Sequence, residues 1–424
     1  MKRFIVFTLV LMVILAGGLL PPAFAGQPAQ QIPVEIDGLP VAFDVNPVIQ
    51  NGRTLVPFRA LAERLNVRVT WEGTTQTVIA EDGKISVRLR VGNRTAYRDG
   101  AAIDLDAPPV LLNGRTLIPA RFFSEAFGCL VTWDDTAKRV KITSPPRPMT
   151  VIGFYALGDS ETSSWSDLFA RAYPHTGPGN TDLVSHLALG WYSLDREGNL
   201  LTRSRTGWER PDGWESVLKA AGEYNLKTEM VLHLADGDGT ISSLLTDQSA
   251  MARAVGEIAR EARLYNGVNL DFEGLGWKEE GARLKATRDS FTGFVRLLSG
   301  QLKAAGIELT LTLHAPNSAY KGYDYQRLGE LADWIVVMAY DYGPVPEPAA
   351  LVTEAVEAAK SVVTPGKLIL GISAPTETPE SILTKAGIAK RYNLNGIAIW
   401  RLGLVSDDMW NSLRTTILSR NSNS

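Results

Sequence analysis

The stretch Asn269-Leu270-Asp271-Phe272-Glu273 has the residue types and spacing that chemistry needs. Side chains on a strand alternate between its two faces, so Asn269, Asp271 and Glu273 share one face. Val268, Leu270 and Phe272 take the other. Three polar groups on an inward face, two of them carboxyls, are costly unless solvated or paired. Neighbouring carboxyls cannot both ionise cheaply, so one should keep its proton to higher pH. A protonated carboxyl beside an ionised one suits general acid catalysis. A solvated strand end or a structural ion pair would use the same residues, so the motif by itself leaves both readings open.

Such a face must be presented at the end of a strand. From Val151 onward, short apolar runs alternate with helical patterns. The predicted strands are Val151–Ala156, Val184–Leu189, Lys227–Leu234, Gly267–Phe272, Glu308–His314, Trp334–Tyr340, Lys367–Ile372 and Gly396–Trp400. The clearest helical pattern runs from Thr287 to Ala304, with Phe291, Phe294, Val295, Leu298 and Leu302 on one face. Eight strands with intervening helices over about 270 residues predict an α/β fold, a (β/α)8 TIM barrel, whose active sites lie at the C-terminal strand ends. A doubly wound sheet is the alternative. It carries a Gly-rich phosphate turn after its first strand, whereas Phe154-Tyr155-Ala156-Leu157-Gly158-Asp159 stands there.

An internal repeat precedes the barrel. Asn51-Gly52-Arg53-Thr54-Leu55-Val56-Pro57 recurs as Asn113-Gly114-Arg115-Thr116-Leu117-Ile118-Pro119, an offset of 62 residues. Arg59 and Arg121, Glu63 and Glu125, and Val69-Thr70-Trp71 and Val131-Thr132-Trp133 keep that offset, which marks a duplication. Each unit reads as an Asn-Gly turn, a strand ending at Pro, a helix (Phe58 to Leu65; Arg121 to Phe127) and a strand to the Trp. Ile85 to Val91 alternates as a half-buried strand. Trp71 and Trp133 each end an apolar strand and are expected in the core. Ser144-Pro145-Pro146-Arg147-Pro148 is expected to be a short stiff linker.

Lys2 and Arg3, the apolar run Phe4 to Leu20 and Ala23-Phe24-Ala25 form the pattern of a secretory signal peptide, with an uncleaved anchor as the alternative. The expected organisation is a signal peptide over 1–25, a leader over 26–33, a duplicated α+β domain over 34–143, a linker over 144–149, the barrel over 150–420 and a tail over 421–424. A net charge of −3 gives no support for nucleic acid or anionic membrane as main partner. One cysteine, Cys129, excludes an internal disulfide and Cys-x-x-Cys zinc sites. No H-E-x-x-H, G-x-S-x-G or P-loop pattern occurs, so no metal and no cofactor are expected. Asp236-Gly237-Asp238-Gly239 lacks the later ligands of a calcium loop and reads as a plain loop.

The paired NGRTLVP and NGRTLIP motifs make Val34 to Thr143 resemble the stalk-type domain found at the N-terminus of copper amine oxidases and on secreted bacterial enzymes. The resemblance implies no catalytic role and no copper site; it leaves open cell-wall attachment or a folded spacer. Asn266-Gly267-Val268-Asn269-Leu270-Asp271-Phe272-Glu273 resembles the D-G-x-D-x-D-x-E motif of glycoside hydrolase family 18, the chitinase-like family. Met338-Ala339-Tyr340-Asp341, Trp400 and Gly153-Phe154-Tyr155 fall at that family's other marked positions, in order. The resemblance implies substrate-assisted retaining hydrolysis of N-acetylhexosaminides. Glu273 would be the acid, Asp271 would hold the substrate's acetamido N–H, and Tyr340 its carbonyl. Trp400 would floor the cleft, Tyr155 would wall it, and Asn269 and Asp341 would line it.

Two departures matter. Asn266 and Asn269 stand where the family has Asp, and Glu229-Met230-Val231-Leu232-His233-Leu234 replaces its S-x-G-G on the third strand. A similar Asn-x-Asp-x-Glu pattern occurs in the branch of spore-cortex and cell-wall N-acetylglucosaminidases. The expectation is therefore a secreted, wall-associated bacterial glycosidase acting on β-1,4 bonds of N-acetylglucosamine polymers, peptidoglycan or spore cortex ahead of chitin. A non-catalytic chitinase-like lectin and a chitinase proper are the alternatives. His233 and His314 end the third and fifth strands, either as cleft lining or as satisfied structural histidines. Trp191, Tyr192, Trp208 and Trp214 are candidates for sugar contact or for core.

Overall fold

The computed structural model describes residues 32–156, 163–204, 207 and 209–419. The expected signal peptide, the leader as far as Gln31, Trp208 and the tail lie outside them, as do the residues just after the first barrel strand. Eight strands follow one another around a closed sheet: β1 (Thr150–Tyr155), β2 (His186–Leu194), β3 (Lys227–Ala235), β4 (Gly267–Glu273), β5 (Glu308–His314), β6 (Trp334–Met338), β7 (Leu368–Ser373) and β8 (Gly396–Trp400). Each pairs in parallel with its neighbours, and β1 pairs with both β2 and β8, which closes the barrel. β2 runs five residues past its expected end at Leu189, because Trp191, Tyr192 and Leu194 extend its buried face.

The outer faces pack against helices. Phe272 of β4 lies 6.1 Å from Phe291 and 5.7 Å from Phe294, ring centre to ring centre, on the helix Gly281–Ala304. That helix buries the face expected of it, including Val295, Leu298 and Leu302. With Val268, Leu270 and Phe272 taken up by this layer, strand alternation turns Asn269, Asp271 and Glu273 to the axis.

The barrel interior is split into two sectors. Ile152, Phe154, Ala188, Val231, Val336, Ile369 and Ala398 form an apolar sector. The strands β3 to β5 supply a polar wedge. Glu229 is 1% exposed and accepts hydrogen bonds from Asn269 Nδ2 (2.9 Å) and Thr310 Oγ1 (2.7 Å). Thr312 Oγ1 donates to Asn269 Oδ1 at 2.8 Å. Burial pushes the Glu229 carboxyl up to about 7, against the pull of its two donors.

The duplicated segment forms a small β-rich domain. Arg53–Pro57 and Arg115–Pro119 pair antiparallel with Val56 opposite Ile118, so equivalent residues meet at a local two-fold axis. Ion pairs obey the same symmetry: Arg53 meets Asp106 across the repeats (2.6 Å), and Arg115 meets Asp44. The core places Trp71 and Trp133 differently from the expectation. Trp71 is 36% exposed and Trp133 41%, because both stand near the ends of edge strands, Arg68–Glu72 and Leu130–Asp134, where the core gives way to an open cleft.

The Pro-rich segment is docked rather than free. The hairpin turn Asp37-Gly38 sits on the barrel helix Pro379–Arg391, where a Cβ on Gly387 would lie 2.6 Å from Asp37 O. Lys390 and Asp37 bury their charges together at 3.7 Å, with side chains 4% and 5% exposed. Lys390 Nζ also donates to Thr416 Oγ1 (2.9 Å) and Ser144 O (3.2 Å). Asp37 accepts from Ser144 N (2.8 Å) and Ser144 Oγ (2.6 Å). Burial lowers the Lys390 pKa below the usual lysine range, and Asp37 opposes that shift.

Two predictions follow from these buried charges. Asp37→Ala leaves Lys390 without its counter-charge and should cost about 3 kcal/mol of stability in urea unfolding, with Lys390→Met milder. The raised Glu229 pKa means that its stabilising contribution is complete below about pH 4.3 and is lost as pH rises through about 7. Glu229→Gln keeps the shape and removes the titration. The stability difference between variant and wild type should therefore swing by roughly 2–3 kcal/mol in the variant's favour between pH 4 and pH 8.

Candidate active site

Glu273 ends β4 at the rim of the barrel, with its side chain 31% exposed. Asp271 lies one inward position deeper and is 4% exposed. Two histidines bracket the Glu273 carboxyl. His233 Nε2 is 3.5 Å from Oε1, and His314 Nε2 is 3.7 Å from Oε2. His233 sits opposite Asp271 in the β3–β4 register, and the His314 ring stacks on Tyr320 at 4.0 Å. Residue types alone left both histidines open between cleft lining and structural packing. The available signal was parity: His233 and His314 share the inward face with Glu229 and with Thr310 and Thr312.

The two carboxyls titrate as a unit. Burial, and then the Glu273 charge beside it, raise the Asp271 pKa well above the carboxylate range. Burial works in the same direction on Glu273, but the hydrogen bond and charge of His233, with His314 behind, outweigh it and hold this carboxyl below its usual value. Burial disfavours the charged His233 ring, yet Glu273 and Asp271 raise its pKa; for His314 burial wins and the pKa falls. With these shifts, the proton of the pair rests on Asp271 and the negative charge on Glu273. Asp271 Oδ1 is buried without a hydrogen-bond partner, just below Glu273 on the inward face.

Tyr340 follows β6 by two residues and feels the charges of both Asp271 and Glu273, which, after burial, raise its pKa. Its ring packs over Gly371, where a Cβ would lie 3.2 Å from Tyr340 Cε1. Trp400 ends β8, half-buried, with its ring 5.5 Å from Phe154 in an edge contact. Asp341 is exposed, in a left-handed turn held by Glu347, which accepts from Asp341 N (3.0 Å) and Tyr342 N (3.2 Å).

Two expected cleft residues lie elsewhere. Tyr155 is 1% exposed and belongs to the layer between barrel and helices, edge-on to Trp191 at 6.4 Å. The aromatic that faces the axis on β1 is Phe154. Asn269 is fully buried, its amide committed to Glu229 and Thr312, so it underlies the site without lining the cleft. Asn266, ahead of the strand, accepts from Thr228 N at 2.9 Å and ties β4 to β3. Trp191 and Tyr192 are core residues, and Trp214 lies under the Arg210 guanidinium at 4.5 Å. Asp238 Oδ1 accepts from Thr240 N and Asp236 Oδ1 from Ser242 N, so this loop spends its carboxylates on the start of the next helix.

Among the described residues, His233, Asp271 and Glu273 form a set able to hold a metal ion, one ligand atom each within 4.8 Å of the others.

Two family profiles match the chain. The one described as Glycosyl hydrolases family 18 covers residues 158–376, and the Copper amine oxidase N-terminal domain covers residues 35–142. A Bacillus subtilis protein described as "Putative sporulation-specific glycosylase YdhD" is 36% identical over 120 residues, 26% of this chain and 27% of that protein. The B. subtilis "Cortical fragment-lytic enzyme" is 26% identical over 142 residues, 30% of this chain and 31% of that protein. The matches thus span about a quarter to a third of these two relatives' lengths. A crystal structure of a chitinase from Chromobacterium violaceum superposes with a TM-score of 0.52 at 18% identity, covering 63% of this chain and 98% of that one, a likeness of fold.

Proposed function

The chain belongs to glycosyl hydrolases family 18, and from that premise we propose that it is a secreted bacterial glycosidase cleaving β-1,4 bonds after N-acetylglucosamine in peptidoglycan or spore cortex. The observation that carries this reading is the Asp271–Glu273 pair at the mouth of the closed barrel, one carboxyl raised and the other lowered. The wall polymer is favoured over chitin by Asn269 and Glu229, which replace the chitinase pattern, and by the likeness to the cortical fragment-lytic enzyme. The charged start and apolar run of residues 2–20 support export. The small N-terminal domain is read as the part that keeps the enzyme at the wall.

The chemistry follows from where the proton rests. An acetamido N–H arriving at the unpaired Asp271 Oδ1 stabilises that group as a carboxylate and drives its proton toward Glu273. Glu273 then gives the proton to the glycosidic oxygen as the C–O bond breaks. The substrate's acetamido oxygen attacks the anomeric carbon and forms an oxazolinium ion, which the Asp271 charge stabilises and the Tyr340 hydroxyl helps to orient. Glu273, now ionised, takes a proton from water as that water opens the ring and yields the retained product. No enzyme nucleophile is needed, which suits two carboxyls two residues apart on one strand. Trp400 offers an apolar floor.

Three outcomes are expected. Glu273→Gln should lower kcat by about 10³ or more, and Asp271→Asn by about 10², on cortex and peptidoglycan fragments. Mass spectrometry should find new reducing ends at N-acetylglucosamine. Because the pair keeps its proton on the raised Asp271, kcat/KM should fall on the alkaline side well above the ordinary carboxylate range near 4. Full activity in Glu273→Gln, or binding without products in the wild type, would remove this reading; products from chitin oligomers alone would replace the substrate.

A further inference from the structure

The duplicated domain carries two clefts of different size that share a set of equivalent lining residues. The first, of about 550 Å³, is lined by Pro57, Arg59 and Trp71 of the first repeat and by Gly114, Arg115 and Thr116 of the second. The second, of about 140 Å³, is lined by Gly52, Arg53 and Thr54 of the first repeat and by Pro119, Arg121 and Trp133 of the second. These sets correspond at the 62-residue offset, with the repeats exchanging roles. Each cleft is therefore a joint product of both units across the local two-fold axis.

Some core positions have drifted between the repeats, Leu61 against Phe123 and Val67 against Cys129, while others, such as Leu55 and Leu117, have not. The arginines and the tryptophan at the clefts are unchanged: Arg53 and Arg115, Arg59 and Arg121, Trp71 and Trp133, with Asp44 and Asp106 as the ion-pair partners. Trp71 and Trp133, 36% and 41% exposed, leave part of each indole open at its cleft, and an exposed ion pair contributes about 0–1 kcal/mol. The Trp133 ring is also fixed in place, Nε1 donating to Asp135 Oδ1 at 2.9 Å.

We propose that the two clefts are glycan-binding sites, and that their ligand is the repeating saccharide backbone of peptidoglycan. An indole face matches the C–H face of a pyranose ring, and the planar guanidinium and carboxylate at its edge match vicinal hydroxyl and acetamido groups. Asp44 and Glu63 stand beside Arg59 and Arg115 in the first cleft, and Asp106 neutralises Arg53 at the second, which suits a polar uncharged backbone better than a polyanion. Two equivalent sites on one small domain suit a ligand that repeats along its length, since the second contact is then intramolecular. The choice of polymer rests on the reading of the barrel as a wall glycosidase. The sites themselves do not.

The test uses the full chain in a Glu273→Gln background, so that the polymer survives, and measures retention on purified peptidoglycan and on chitin. Trp71→Ala and Trp133→Ala should each weaken retention on peptidoglycan by about fivefold to tenfold, and the double variant by about fiftyfold or more. Trp71→Tyr, which keeps a stacking face, should recover most of the loss, and thermal melting confirms that each variant folds. Unchanged retention in the double variant overturns the proposal. Trp-dependent retention on chitin without retention on peptidoglycan overturns the choice of polymer. Self-association that depends on Trp71, without glycan retention, assigns the clefts to a second copy of the chain and also overturns it. The assay reads no hydrolysis, so an inactive wild type that shows Trp-dependent retention would sink the catalytic reading and leave this one standing.

Discussion

Everything at the mouth of this barrel derives from the parity of one strand. The helix Gly281–Ala304 takes up Phe272, and a closed sheet gives alternate residues nowhere to go but the axis. Asp271 and Glu273 are thus held side by side in a place poor in water. Two carboxyls so placed share their protons unequally, and the histidines decide the direction of the inequality. The pair thus holds a proton on Asp271 and a charge on Glu273, two residues apart on the same face.

Beneath that pair, the polar wedge of β3 to β5 performs a second task. Where the related motif has a titrating Asp, this chain has an amide whose two ends are both engaged. Glu229 has entered the barrel from the neighbouring strand and supplies a carboxyl one layer lower. That position isolates it from the cleft, so Asn269 and Glu229 hold the floor of the site in register beneath Asp271, Glu273 and His233.

Much of this was legible in the sequence because it depends on local rules. Strand alternation gave the faces of residues 268–273, and apolar runs gave the eight strands to within a few residues at most ends. The misreadings share a cause: each depended on a partner far away in the chain. Phe154 and Tyr155 are adjacent aromatics, and nothing local says which one faces the axis. The structure shows Gly153, two positions from Tyr155 on the outward face, so closely covered that a Cβ would lie 2.7 Å from Leu402 Cδ1. Trp71 and Trp133 end apolar strands, but those strands lie at sheet edges, and edge position is a property of the assembled sheet. His233 and His314 became informative only when β3 and β5 were seen to flank β4.

The contact between Asp37 and Lys390 bears on how such a chain can be taken apart. The ammonium belongs to a helix of the barrel, and its counter-charge arrives from a hairpin more than three hundred residues earlier. Enzymes of this general plan are commonly treated as strings of interchangeable cassettes. Here, excision at the prolines would remove the counter-charge together with the hairpin that covers Lys390, whereas a foreign hairpin without an acid would bury that ammonium unpaired. Recombination that swaps the front half must bring along an acid at the same turn, and that requirement ties the inheritance of the two halves together.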